Sequence, residues 1–362
     1  MIRGAALKHG RAKTAGKILG IIFLLFVCGE IASRLYLHKT FGVWGFQQQS
    51  IEKHFYPNLN KNYSYDNDRI NLLVLGGSVM YEDTLRGSWN EKPFARTFCG
   101  EPSLWDTKKL NLLNLSSTGY TSLDSRYQLD AVIQGGHSFD AVFIYHGIND
   151  SRTNNTAKEV FDSLYRHIEF YDDYAFVKNH STYDRVSLPF VLQWVGHQQR
   201  TADKQYLPKE FFWGLLQGNP EPFLQEGADV KSEKSFRANY RAIIDLALAN
   251  DIVPILSTYA FYHIPNYTRT AFEQGELDYA DSVFVTELYG LPDNVEQGIE
   301  RHNTVIRSLA NKYKDNVIFF DFADSLHQSS NTFNDICHLT NQGCNQLISE
   351  VEKILGQRFS HE

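Results

Sequence analysis

The sequence predicts a three-layer α/β/α domain on a mostly parallel five-stranded sheet, preceded by an N-terminal transmembrane helix. Three observations predict it. Short apolar runs at 70–75, 110–115, 140–145, 251–258 and 316–321 lack the alternation of a half-exposed strand and suit strands covered on both faces. Stretches of helical periodicity separate these runs, so strand and helix alternate along the chain. The chain is also 362 residues long and 43% hydrophobic, enough to pack a large core.

The N-terminus has a character of its own. Arg3, Lys8, Arg11, Lys13 and Lys17 form a basic tail over 1–17, and an apolar run from Ile18 to Gly29 follows. That run alone is shorter than a bilayer span and leaves a cleavable signal peptide open. Continuing through Ile31, Ala32, Leu35, Tyr36 and Leu37 gives about 20 residues, enough to cross, and we favour an anchor over 18–37. Glu30 interrupts the run, and Arg34 stands four residues on, where the two can meet on one helix face. The Lys/Arg bias assigns the N-terminus to the cytoplasm and the remaining chain to the far side of the membrane. A net charge of −7 and the lack of a long basic block in the body argue against nucleic acid as a partner.

Residues 38–69 hold no sustained period and read as a stem. Ile70 to Leu75 is the first strand, and Gly76-Gly77-Ser78 turns sharply out of it. Pro93 to Thr97 and Phe98 read as a short helix with proline in its first turn. Leu110 to Leu115 is the second strand. An amphipathic helix over Ser122–Gln134 ends at Gly135-Gly136, and Asp140 to Tyr145 is the third strand. The pattern then loosens over 151–232, too long a stretch for a simple connection, and reads as an insertion in a domain spanning 70–356. A helix through Phe236, Tyr240, Ile243 and Leu248 leads to the fourth strand at Asp251–Thr258. A helix from Val295 to Lys312 precedes the fifth at Asn316–Asp321, and a terminal helix begins at Thr340. Cys99, Cys337 and Cys344 are too few and too irregular for a disulfide framework or a zinc site; one bridge is compatible with an oxidising compartment and would leave one thiol free.

Four sites fall at strand ends or just before the last helix: Ser78, Gly119, Gly147-Ile148-Asn149-Asp150, and Asp335-Ile336-Cys337-His338. Their chemistry is complementary. Cleaving an ester needs a nucleophile, a base, an acid that orients the base, and donors for the oxyanion. Ser78, His338 and Asp335 supply the first three, and the backbone amides of Ser78 and Gly119 with the Asn149 side chain supply the donors.

On these four blocks the chain resembles the SGNH hydrolases of the GDSL esterase/lipase superfamily. The serine block is Gly76-Gly77-Ser78, the glycine block Asn114 to Gly119, the asparagine block His146 to Asp150, and the last block Asp335 to Thr340, in order across 70–355. Gly77 stands where the parent motif has Asp, and Ser116 where many relatives have Gly. The resemblance implies a flavodoxin-like fold, catalysis by Ser78, His338 and Asp335, an oxyanion hole of Ser78, Gly119 and Asn149, and support from Gly147 and Asp150. Neither cofactor nor metal is expected. The function expected is that of a membrane-anchored serine esterase removing an acyl group such as acetate from a cell-surface glycan or lipid. The alternatives are acyl transfer to an extracellular polysaccharide and an inactive scaffold in surface-polymer assembly.

Overall fold

The computed structural model describes residues 3–89, 92–180, 186–202, 204 and 224–359. The chain forms two compact units, Met1–Pro57 with Asp172–Gln205 and Asn58–Tyr171 with Tyr206–Glu362. Strands β1 (Ile70–Gly76), β2 (Thr84–Trp89), β3 (Lys92–Thr97), β4 (Leu110–Asn114), β5 (Ala141–Tyr145), β6 (Val253–Ser257) and β7 (Ile318–Phe320) all belong to the second unit.

Five of them form one parallel sheet in the order β4-β1-β5-β6-β7. The side-chain period of two splits each strand between two faces, and both faces are apolar. Leu72, Val74 and Phe143 pack with Leu347, Ile348, Val351 and Leu355 of the terminal helix Asn341–Phe359. Leu73, Leu75, Val142 and Ile144 pack with Leu129 and Val132 of the helix Ser122–Gln134 and with Phe236, Tyr240 and Ile243 of the helix Glu233–Leu248. Helices therefore cover both sides of the sheet. Each of these leucines and isoleucines, fully withdrawn from water, contributes about 1.5–3 kcal/mol before chain entropy is counted. The expected five strands and the helix over Ser122–Gln134 are all present, with the later strands trimmed at their ends.

Two expectations fail. Pro93 to Thr97 is not helical but forms β3, paired antiparallel with β2 from Thr84↔Thr97 to Trp89↔Lys92. Proline at a helix start and proline next to a hairpin bend leave the same local trace, and cross-strand pairing decides between them. The stem is also more ordered than its sequence suggested. The first helix runs from Arg3 to Phe41, a second covers Gln48–Phe55, and Leu37, Phe41, Phe46 and Ile51 form a small core with Phe190 and Trp194 of the helix Ser187–Thr201. Of the 151–232 stretch, residues 181–185, 203 and 205–223 lie outside the described residues.

The stretch Lys17–Phe41 is long and apolar enough to cross a membrane. Ile18 to Phe26 are exposed, whereas Leu37 and Phe41 are buried. Glu30 accepts from Arg34 Nε at 2.9 Å and from the backbone amides of Ser187 and Leu188, both at 2.9 Å to its Oε2. A carboxylate inside an apolar run thus serves the free amides at the start of another helix, where negative charge is favoured.

Cys99 is bonded to Cys344 across a sequence separation of 245, and Cys337 stays a buried free thiol. Opening so long a loop should cost about 2–5 kcal/mol. Cys99→Ser with Cys344→Ser, and the wild-type chain treated with reductant, should both lower the denaturant midpoint of unfolding by a similar amount; an unchanged midpoint would show that the bridge contributes nothing.

Candidate active site

Strand order reverses at β1: the chain passes from β1 to β4 on one side, then to β5 on the other. The loops leaving the carboxyl ends of β1 and β5 therefore diverge and open a crevice between them. Ser78 begins a short 3₁₀ turn directly after β1, and Gly147 and Asn149 follow β5. The loop after β4 joins them, because Ser117 N donates to Gly76 O and Gly119 takes a left-handed φ of 79° that a side chain would strain.

Gly77 leaves no room for a side chain. A Cβ there would sit 2.7 Å from Asn149 Nδ2 and 3.2 Å from Tyr120 O. The Asp of the parent motif would have to displace the asparagine, so glycine at this position and the present seat of Asn149 go together. Asn149 Nδ2 spends one hydrogen on Tyr120 O at 2.9 Å, which aims its second N–H. Gly147 O accepts from Ser151 N at 3.0 Å, starting the short helix that carries Asn149 and Asp150.

Three side chains from two distant parts of the sequence lie in one hydrogen-bonded line. Ser78 Oγ is 2.8 Å from His338 Nε2, and His338 Nδ1 is 2.8 Å from Asp335 Oδ2. A carboxylate only accepts, so Nδ1 carries the hydrogen and Nε2 is left to face the serine. Asp335 Oδ1 accepts from the backbone amides of Cys337 and His338 at 3.0 and 2.8 Å, which fixes the turn. Asp335 is fully buried, and burial by itself would raise its pKa. His338, Arg96 and the Cys337 amide outweigh that and hold the carboxyl well below the usual range, so it is ionised. The ligand atoms of Asp335, Cys337 and His338 lie within 4.8 Å of one another, a spacing a metal could use. Burial, however, pushes the Cys337 thiol well up and keeps it protonated, and the carboxylate is already engaged.

Arg96 is the residue that sequence reasoning missed. Its Nη1 donates to Asp335 Oδ2 at 2.7 Å, its Nη2 pairs with Asp281 Oδ1, and its guanidinium lies 4.7 Å from the centre of the Phe284 ring. Phe98 and Phe284 flank His338 with ring centres 5.5 and 5.3 Å away. Only the strand pairing that was mistaken for a helix brings Arg96 here. An arginine 239 residues from the carboxylate it meets gives no local signal of its partner.

Asp150 stands behind the crevice and not in it. It accepts from Ser122 N at 2.8 Å, Ser122 Oγ at 2.6 Å and Tyr165 OH at 2.9 Å, tying the helix Ser122–Gln134 to the Asn149 loop. Burial pushes its carboxyl up to about 7, against the pull of Ser122 and Tyr165. His146 is held neutral, its pKa pushed down to about 3 by burial, with Ser125 Oγ 2.6 Å from its Nε2. It supports the loop and does not take protons at neutral pH.

No family model and no curated protein matches the chain. Among solved structures, it is similar to a GDSL-like lipase from Bacteroides thetaiotaomicron, with 12% identity over 86% of this chain and 100% of that one and a TM-score of 0.43. It is similar to a protein described as an acylhydrolase from Bacteroides fragilis, with 13% identity over 86% and 99% of the two chains and a TM-score of 0.42. A catalytic mutant of an acetylxylan esterase from Geobacillus stearothermophilus aligns at 13% identity over 79% and 94%, with a TM-score of 0.39. Likeness at this distance carries no chemistry, which rests on the side-chain geometry.

Asp150 gives the site a measurable signature. Folding raises its carboxyl from an ordinary 3.8 to about 7, so the folded chain keeps a proton that the unfolded chain releases. Its contribution to stability is complete below about pH 4 and is lost as pH rises through about 7. Asp150→Asn can keep its oxygen toward Ser122 N and donate to the two hydroxyls. Relative to this variant, the wild type should lose on the order of a few kcal/mol of unfolding free energy between pH 4 and 8; a difference that is flat with pH would mean that Asp150 folds as a carboxylate.

Proposed function

We propose that the chain is a membrane-anchored serine esterase of the SGNH type, acting on acyl esters of a cell-surface glycan or lipid. The observation that carries this reading is the line from Ser78 Oγ through His338 to Asp335, with 2.8 Å at each step. Ser78 Oγ attacks the acyl carbonyl carbon while His338 Nε2 takes its proton, and Asp335 stabilises the imidazolium that forms. Negative charge collects on the former carbonyl oxygen, toward which the amides of Ser78 and Gly119 and the second N–H of the Asn149 side chain are donors of the right kind. Collapse expels the alcohol oxygen, which receives the proton from His338, and leaves an acyl-serine. Water, deprotonated by the same nitrogen, attacks the acyl carbon; the acyl–Oγ bond breaks, His338 returns the proton to Ser78 Oγ, and the acid leaves.

A short acyl group such as acetyl suits this site better than a long chain. Ser78 is only 8% exposed, and aromatic rings stand close around His338. The apolar N-terminal helix with its basic flank supports a single-pass anchor with a cytoplasmic N-terminus and the catalytic unit outside.

A fluorophosphonate probe on the full chain in detergent should label Ser78, with labelling absent in Ser78→Ala. Folded protein that is never labelled overturns the reading. Asn149→Ala should lower kcat by about 10²–10³ on a soluble acetyl ester with little change in KM, since an oxyanion donor acts in the transition state. A change confined to KM would remove Asn149 from this role. His338→Ala should cost nearly as much as Ser78→Ala, and the double variant little more than either, because the two act as one unit; additive losses would dissolve the pair.

A further inference from the structure

We propose that Arg96 is a positioning residue that sets how strongly Asp335 acts on His338, and that Asp281 sets how strongly Arg96 acts on Asp335. The inference rests on the esterase reading of Ser78, His338 and Asp335. One carboxylate oxygen, Asp335 Oδ2, receives both Arg96 Nη1 at 2.7 Å and His338 Nδ1 at 2.8 Å. Both ends of the ion pair are withdrawn from water, with the Arg96 side chain 4% and that of Asp335 0% exposed, so screening is weak. A permanent cation therefore shares the charge that would otherwise serve the imidazolium alone. The second Arg96 nitrogen is held by Asp281, whose side chain is 35% exposed. Nε makes no hydrogen bond among the described residues, so the guanidinium acts through its two outer nitrogens.

The arrangement is braced on both sides. Arg96 lies in β3, and three residues later Cys99 is bonded to Cys344, six residues beyond His338. The hairpin bearing the arginine and the turn bearing Asp335 and His338 are thus covalently tied. Phe284, under the guanidinium, also flanks His338.

Other groups near this turn are Ser78, Cys337, Tyr259, Tyr279, Tyr289 and Arg152. Burial pushes the thiol and the three phenols upward, so they stay neutral through the working range. Arg152 stays charged there and lies over the Tyr289 ring, 5.7 Å from its centre. Arg96 and Asp281 are the charges whose removal should act on Asp335 with opposite signs.

The test is the pH profile of kcat/KM for a soluble acetyl ester, measured on the full chain in detergent. Arg96→Gln unmasks Asp335, favours the imidazolium, and should move the acid limb up by roughly one pH unit; Arg96→Lys, which keeps the charge, should recover most of the shift. Asp281→Asn frees the arginine for Asp335 and should move the limb down by about half as much. A merely structural role would lower kcat without moving the limb, or move it the same way in both variants, and either result overturns the proposal. If Arg96→Gln fails to fold, Asp281→Asn decides, because its side chain is partly exposed; a limb that does not move down is then fatal. If wild-type turnover does not depend on Ser78, the esterase reading fails. The same opposite displacements, read on the His338 imidazole by NMR, then decide this inference on their own.

Discussion

The site depends first on a constraint of topology. β1 lies between β4 and β5, and the chain after β1 pairs first on one side of it, as β4, and then on the other, as β5. Parallel pairing fixes Gly76 opposite Tyr145, so the residues just beyond, Ser78 on one loop and Gly147 to Asp150 on the other, emerge at the same height. Neither loop needs intrinsic order to meet the other. The strand register delivers both, and Gly77 only has to be small enough to let Asn149 pass.

Burying this crevice imposes an electrostatic problem that is solved differently at each carboxylate. Asp335 is ionised because it receives the Arg96 guanidinium, the N–H of the His338 ring and two backbone amides. Asp150, with one amide and two hydroxyls and no countercharge among the described residues, has its carboxyl pushed up to about 7. The difference follows from partners, since both side chains are fully buried. Hydroxyls solvate a carboxylate but do not neutralise it, whereas a guanidinium does both. Asp335 can therefore orient and stabilise a charged imidazole, while Asp150 is suited to holding a loop in place.

Much of this was legible in the sequence, and the limits are specific. The five parallel strands could be read because each is an apolar run with turn residues after it, and Ser78 and Asn149 stood out because they follow strand ends, Asp335 and His338 because they stand together just before the last helix. Arg96 could not, since its ion-pair partners are 185 and 239 residues away. The β2–β3 hairpin was hidden by Pro93, which marks helix starts and hairpin bends alike. Glu30 could be matched to Arg34 from spacing alone, but its main partners are amides about 157 residues downstream. The pairing of Cys99 with Cys344 was equally closed to local reading: three thiols allow three pairs, and only the packing of the terminal helix chooses.

That packing also explains why the last block of the sequence can serve the first. Asp335, Cys337 and His338 sit on a loop with no regular structure, yet its two ends are held. Asn334 N and Asn334 Nδ2 donate to His338 O and Leu339 O, both at 2.8 Å, closing the turn on itself. Beyond it the terminal helix is fixed by Leu347, Val351 and Leu355 in the core and by the bond from Cys344 to Cys99. Cys99 in turn follows Arg96 by three residues, and Cys99 N donates to Val79 O, next to Ser78. One short path through backbone, disulfide and ion pair therefore links Ser78, the hairpin and His338. The 2.8 Å approach of Ser78 to His338 follows from that path, and it is as rigid as the elements on which the path is built.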